Sequence, residues 1–291
     1  MLNKIRIHQF FYLVFSLFLV FITKQNTSFN ISEINPSVAV LFLIIMSFGV
    51  SHGAADSIII WKTFPKIKIK ALAFLIYLLI VLFGLLFWFK SPICGLIILL
   101  FMSVIHFGQS DLSYLRYANQ GIKISWGFIM TFLPIIFFES DVKLIFETLI
   151  NINIGMRVFV LIKIITILFI SSFLFFLFSS DAITKKDKFF LGLEFLITLT
   201  LASFLPPLYW FTYYFCFLHG IRALINIGIN SLRDYLFLII FTLPVTFFAY
   251  FILFENLNIE YLNVIFSVLM ALTISHMLLP SLNRFLSEAF N

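Results

Sequence analysis

The chain has 291 residues, 62% of them hydrophobic and only 11% charged. A soluble domain carries about 25% charged residues, so a soluble globular protein is excluded and the chain reads as an integral membrane protein. The formal charge of +6 is no nucleic-acid signature, because Lys and Arg gather in short loops between apolar runs, as the positive-inside rule expects.

Roughly 17–25 apolar residues are needed to cross the hydrocarbon as a helix. Runs of that size lie near 7–23, 37–60, 70–89, 92–112, 122–139, 158–178, 189–205, 208–229, 233–254 and 261–281, which predicts ten spans. The first, preceded by Lys4 and Arg6, is read as a retained helix, since "TKQNTSF" follows it without a small-residue cleavage site. The seventh and eighth are separated only by Pro206-Pro207, which fits a tight reversal because proline ends helices. With the N-terminus in the cytoplasm, Lys24, Lys90, Lys143 and Arg157 fall outside and Lys163 within a span. The other fourteen of the nineteen Lys and Arg fall inside. The expected fold is therefore an all-α polytopic bundle with both termini cytoplasmic. It forms one integral membrane domain over 1–291, in a bacterial inner membrane, with no repeat and no soluble domain. Cys94 and Cys216 lie in or near apolar runs and offer neither a disulfide framework nor a metal-binding spacing. The 42 phenylalanines read as lipid-facing bulk.

Of five histidines, His8 sits at the cytoplasmic start of the first span and reads as interfacial. His52, His106, His219 and His276 lie in the second, fourth, eighth and tenth spans, all running from outside to inside. Counted from the outer end at 1.5 Å per residue, their depths are roughly 22, 21, 16 and 22 Å. Four imidazoles from four helices thus share one slab. Intramembrane ionisable groups are costly and face the bundle interior. Imidazole is the commonest metal ligand and suits iron, zinc and copper. The bland alternative is four histidines that each hydrogen-bond a neighbouring helix. Polar residues gather around the same positions. Asp56 is four after His52 and shares its helix face. Asp111 is five after His106, Arg222 is three after His219, and Glu194 lies in the seventh span at a depth close to that of Asp56. Metal-bound histidines commonly donate their second N–H to a carboxylate, a role that suits Asp56 and Asp111. The alternative for Asp111 and Arg222, and less so for Asp56, is that they sit at the cytoplasmic interface and pair there.

The stretches "GVSHGAAD", "HFGQSD", "PPLYWFTYYFCFLHGIRAL" and "TISHMLLP" occur in that order. Together they resemble the Brp/Blh family of membrane β-carotene 15,15′-dioxygenases, over about 45–281. The resemblance implies a non-haem Fe(II) enzyme that uses O2 to split the central double bond of a lipid-dissolved carotenoid into two retinals. By motif position His52, His106, His219 and His276 would be the family's histidines, catalytic through the metal, with Asp56, Asp111, Glu194 and Arg222 behind them. The family's first motif reads Gly-x-Pro-His-Gly-x-x-Asp-His; here Ser51 and Ser57 stand for its proline and last histidine. Its third often reads His-Ser-x-Arg-His; here Gly220 and Ala223 stand for the serine and second histidine, and Arg222 is kept.

Rival classes fare worse. A retinal-bearing rhodopsin needs a buried Schiff-base lysine, and only Lys163 lies in a span. Paired histidine boxes of a desaturase are absent, as is the Gly-x-Ser-Gly turn of an intramembrane serine protease. A transporter or metal-ion permease could use buried His and Asp as substrate or proton sites; no repeat is visible, though "GVSHGAAD" could be a broken stretch.

Overall fold

Long apolar runs leave the backbone no partner but itself in lipid, and helix is the way one chain segment satisfies its own N–H and C=O groups. The computed structural model describes residues 2–23, 36–229, 231–255 and 261–290, without the side chains of 22–23, 36–39, 52, 252–255 and 261, and contains no strand among them. In chain order the helices are α1 (Leu2–Thr23), α2 (Pro36–Ile44), α3 (Ser51–Ala54), α4 (Asp56–Thr63), α5 (Ile67–Lys90), α6 (Pro92–Asp111) and α7 (Gln120–Phe132). There follow α8 (Glu139–Ile150), α9 (Met156–Ser179), α10 (Lys185–Phe204), α11 (Pro207–Tyr213), α12 (Ile221–Ile227), α13 (Leu232–Glu255) and α14 (Tyr261–Phe290). π-helical turns occupy Ile45–Gly49 and Tyr214–Gly220, and a 3-10 turn occupies Leu133–Ile136. Local chemistry sets several ends. The Asn119 side chain accepts the Ile122 N–H at the start of α7, and Thr184 accepts the Asp187 N–H at the start of α10. Pro206 and Pro207 open α11.

The chain is a membrane protein by helix length and composition, and among the described residues fewer than the ten expected spans are long and apolar enough by that test. Six described helices are long and apolar enough to cross a membrane: those at Leu2–Phe21, Ile67–Lys90, Pro92–Asp111, Met156–Ser179, Leu232–Phe251 and Leu262–Phe290. A seventh counts if Gln120–Ile136 and Glu139–Ile150, bent by 106°, form one broken span. The other three ranges expected to span are helical too, yet polar or interrupted. The stretch 36–63 is cut by a π turn and by a break at Ala55; 207–227 is cut by a π turn; α10 carries Asp187, Lys188 and Glu194. α8 falls between the predicted fifth and sixth spans, where the sequence predicts an outer loop. It is an amphipathic helix that buries Val142, Ile145 and Leu149. Lys24 lies outside the described residues.

Contacts divide the chain into two compact units, each assembled from two separate stretches. The first unit takes 1–34 and 103–226, the second 35–102 and 227–291, so α6 contributes to each. In the first unit α6 and α7 approach backbone to backbone at two glycines. A Cβ on Gly127 would stand 1.8 Å from the Val104 carbonyl oxygen, and one on Gly108 would stand 2.0 Å from that of Lys123. Neither oxygen is the end of a movable side chain. Gly127→Ala is expected to cost about 3 kcal/mol or more, the upper end of overpacking, read as a fall in Tm of the detergent-purified protein. Gly192→Ala, with no other group within 4 Å, should leave Tm unchanged or raised. In the second unit α5 packs on α14, with Gly84 against Ala271 and a core of Phe64, Ile69, Ala73, Tyr77, Leu279 and Leu286. Outward faces stay apolar, as lipid contact requires; Phe83 is 69% and Phe178 72% exposed.

Candidate functional site

Each unit holds a histidine–carboxylate pair, fully buried in the first and part-buried at the histidine in the second. In the first, the π turn Tyr214–Gly220 carries His219. A π turn inserts an extra residue and is frequent at functional sites. The His219 ring is fully buried, and its Nδ1 lies 2.8 Å from Asp111 Oδ1 at the end of α6. The other oxygen of Asp111, Oδ2, accepts from Trp126 Nε1 at 3.0 Å and from the Tyr214 hydroxyl at 2.8 Å. In the second unit His276 Nδ1 lies 2.7 Å from Asp56 Oδ1, and Tyr77 donates its hydroxyl to Asp56 Oδ2 at 3.0 Å. Both carboxylates are buried. An ionised carboxylate only accepts, so each neutral imidazole donates from Nδ1 and turns its lone pair out through Nε2.

Sequence spacing does not show who serves whom. Asp56 and Asp111 follow His52 and His106 in sequence, but each holds the histidine of a later helix. The two pairs join residues 220 and 108 positions apart. The side chain of His52 lies outside the described residues. His106, on α6, brings its Nε2 to 3.1 Å from His219 Nε2, with the rings edge to face.

Asp111 and Arg222 are not an exposed interfacial pair; both are fully buried. Arg222 Nη2 forms an ion pair with Glu194, and Nη1 donates to the Asp111 backbone oxygen at 3.1 Å. Glu194 therefore sits one step behind the histidine, bonded to Arg222 and not to an imidazole. Its second oxygen accepts from Gln9 Nε2 at 2.8 Å. The line continues outward, with Gln9 accepting from Arg6 at 2.8 Å and Arg6 paired with Asp187. Tyr114, beyond the end of α6, lies within 3.3 Å of Gln9, and burial pushes its phenol well above the ordinary range. His8, read from sequence as interfacial, packs inside the first unit. It is buried, and its Nε2 donates to the Phe217 carbonyl in the π turn at 2.7 Å.

Sequence reasoning missed Tyr77, Trp126, Tyr214 and Gln9. The aromatic three look like apolar bulk in sequence. Gln9 left a usable signal: Ile5, Gln9, Tyr12 and Ser16 recur at helical spacing in α1, and all four are buried.

Among the described residues no group of three or more His, Cys, Asp or Glu is placed to hold a metal ion. The chemistry of the donors nonetheless suits one. Nitrogen ligands about 2.0–2.1 Å from a transition metal, at roughly right angles, stand about 3 Å apart. The His106–His219 separation of 3.1 Å therefore fits two neighbouring positions around one cation, as it also fits a direct N–H···N bond. A cavity of about 660 Å³ in the first unit is lined by Asn3, Tyr114, Arg116, Thr184 and Asp187 among others, and by no described histidine.

A profile of the family described as beta-carotene 15,15′-dioxygenase matches residues 43–282. The chain belongs to the β-carotene 15,15′-dioxygenase family. The matched range of this dioxygenase family takes in His52, His106, His219 and His276 and both carboxylates. A family relative from an uncultured marine bacterium, 66A03, described as beta-carotene 15,15′-dioxygenase, is 29% identical over 189 residues. That alignment covers 62% of this chain and 65% of the relative, just under two thirds of its length. No solved structure matches.

Proposed function

We propose that the chain is an intramembrane oxygenase that splits β-carotene, or a related carotenoid, at its 15,15′ double bond to give retinal. The observation that carries this reading is the family match across 43–282. The reaction balances with O2 alone: the carbon–carbon double bond breaks, each carbon gains one oxygen atom, and two aldehydes leave without any added reductant. His52, His106, His219 and His276 are proposed to hold Fe(II). When bound, Fe(II) with open coordination positions supplies the chemistry that lets O2 react with a carbon–carbon double bond. The protein's own part is positional. Asp111 and Asp56 hold His219 and His276 as Nδ1–H tautomers, and Trp126, Tyr214 and Tyr77 fix the carboxylates. An apolar interior excludes water and lets a polyene enter sideways from the bilayer, already dissolved in lipid. The proposed setting is a bacterial inner membrane with both chain ends in the cytoplasm.

The interrupted helices at Ile45–Gly49 and Tyr214–Gly220 also fit a transporter, whose sites use broken helices. One preparation separates the two readings. Expressed in a β-carotene-producing bacterium, the chain should bleach the cells and accumulate retinal, and the purified protein should retain about one iron per chain. His106→Ala and His219→Ala should each lower retinal formation by about 100-fold or more, with loss of iron. Full activity in either variant, or retinal absent from a well-folded and iron-loaded protein, overturns the proposal.

A further inference from the structure

At the end of the second unit where α4 stops and α5 and α13 begin, Lys62, Lys66, Lys68, Lys70 and Arg233 collect. The carboxylate on this stretch, Asp234, is 2.9 Å from Lys62 and so already carries a cation. Two of the others share one aromatic ring. Lys70 Nζ lies 4.0 Å from the Trp61 ring centroid and the Arg233 guanidinium carbon 4.7 Å from the same centroid. The ring's quadrupole attracts each, but two like charges on one indole repel, and they do so more strongly beside a low-dielectric membrane than in water. The arrangement calls for an anion.

Below the cations runs an aromatic strip. Trp61 lies 5.2 Å from Phe237, Phe237 stacks on Phe241 at 5.9 Å, and Phe241 stacks on Phe74 at 5.6 Å. Phe237 and Phe241 are one helical turn apart on α13, so the strip leads from the charged end into the apolar part of the helix. Beside it Leu236 and Ile240 are 49% and 60% exposed. A cationic head over an apolar track, on a chain that spans a membrane, matches an amphiphile with an anionic head.

We propose that this end of the second unit binds one anionic phospholipid, with its phosphate between Lys70 and Arg233 and an acyl chain along Trp61, Phe237 and Phe241. Tryptophan at the head–tail boundary fits the interfacial preference of indole. Juxtamembrane basic clusters attract anionic headgroups. A zwitterionic lipid brings its own cation against Lys66 and Lys68, and free phosphate gains nothing from the aromatic strip. The inference rests on the membrane-spanning fold and not on the reaction.

Native mass spectrometry of the full chain, delipidated in neutral detergent and titrated with phosphatidylglycerol or phosphatidylcholine of the same acyl chains, tests it. One retained phosphatidylglycerol per chain is expected, with at least about tenfold preference over phosphatidylcholine. Lys70→Gln with Arg233→Gln should abolish the preference, whereas Arg157→Gln with Lys186→Gln, an equal charge loss elsewhere, should not. Phe237→Ala should weaken phosphatidylglycerol and leave inorganic phosphate unaffected. Should the double variant not fold, Lys70→Gln alone should lose part of the preference and Lys70→Arg should keep it. Equal losses in the two double variants mean diffuse attraction, and displacement of the lipid by inorganic phosphate at equal concentration means a soluble-anion site; either overturns the proposal.

Discussion

On the proposed iron-dependent function, Asp111→Asn should lower iron affinity and retinal formation by about 10- to 100-fold, at nearly unchanged size and shape. Two donors, Trp126 Nε1–H and the Tyr214 hydroxyl, meet Oδ2, whereas one imidazole nitrogen meets Oδ1. An amide has one acceptor oxygen and one donor nitrogen. Set against the two donors, its oxygen keeps both bonds, but its NH2 then faces His219 Nδ1. That nitrogen must accept, the proton moves to Nε2, and the nitrogen beside His106 loses the lone pair a cation needs. Set the other way, the amide keeps the tautomer and opposes two donors with its own N–H groups. Every orientation loses something the carboxylate provides. Iron content and retinal yield of the purified variant, beside an unaltered circular dichroism spectrum, check it; an active, iron-loaded Asp111→Asn would detach Asp111 from the histidine's role.

Glu194→Leu should destabilise the protein by about 3–5 kcal/mol, the cost of leaving one partner of a buried ion pair uncompensated. Glu194 and Arg222 are both fully buried, and the deleted carboxylate holds Arg222 on one oxygen and Gln9 on the other. The double change Glu194→Leu with Arg222→Leu removes both charges and should recover much of the loss, since a buried pair replaced by apolar groups is often near neutral. Arg222 also donates to the Asp111 backbone oxygen, so the double variant should regain Tm without regaining full activity. Thermal unfolding in detergent, run beside retinal formation, separates the two effects. Additive destabilisation in the double variant would mean that the pair is not coupled in the fold.

Long apolar runs made much of the helical layout legible. The runs at 70–89, 92–112 and 158–178 are the helices Ile67–Lys90, Pro92–Asp111 and Met156–Ser179. Hydropathy sees where apolar residues are, not where the backbone changes pitch; "GVSHGAAD" hints at a break beside the π turn Ile45–Gly49, but nothing in the sequence marks the one at Tyr214–Gly220. α8 was overlooked because twelve residues are too short to span, although Val142, Ile145 and Leu149 stand at helical spacing. The chemical residues were legible because His219, His276, Asp56 and Asp111 are expensive inside an apolar run. Their partnership was not, since helix periodicity speaks only of residues three or four apart. Nor does any periodicity distinguish a tyrosine that donates to a carboxylate, such as Tyr77, from one that merely fills space.

Because each unit is stitched from an early and a late stretch of chain, neither can close as it is made. Asp56 and His276 stand 220 positions apart. A ribosome adding roughly 5–20 residues per second leaves about 10–45 s between them. For that interval the nascent chain holds an acidic group that the finished fold buries, with Tyr77 made and its imidazole not. The second unit can therefore close only after the helices Leu232–Glu255 and Tyr261–Phe290 have been made, so the later stretch, and not the earlier, decides when this half of the molecule exists.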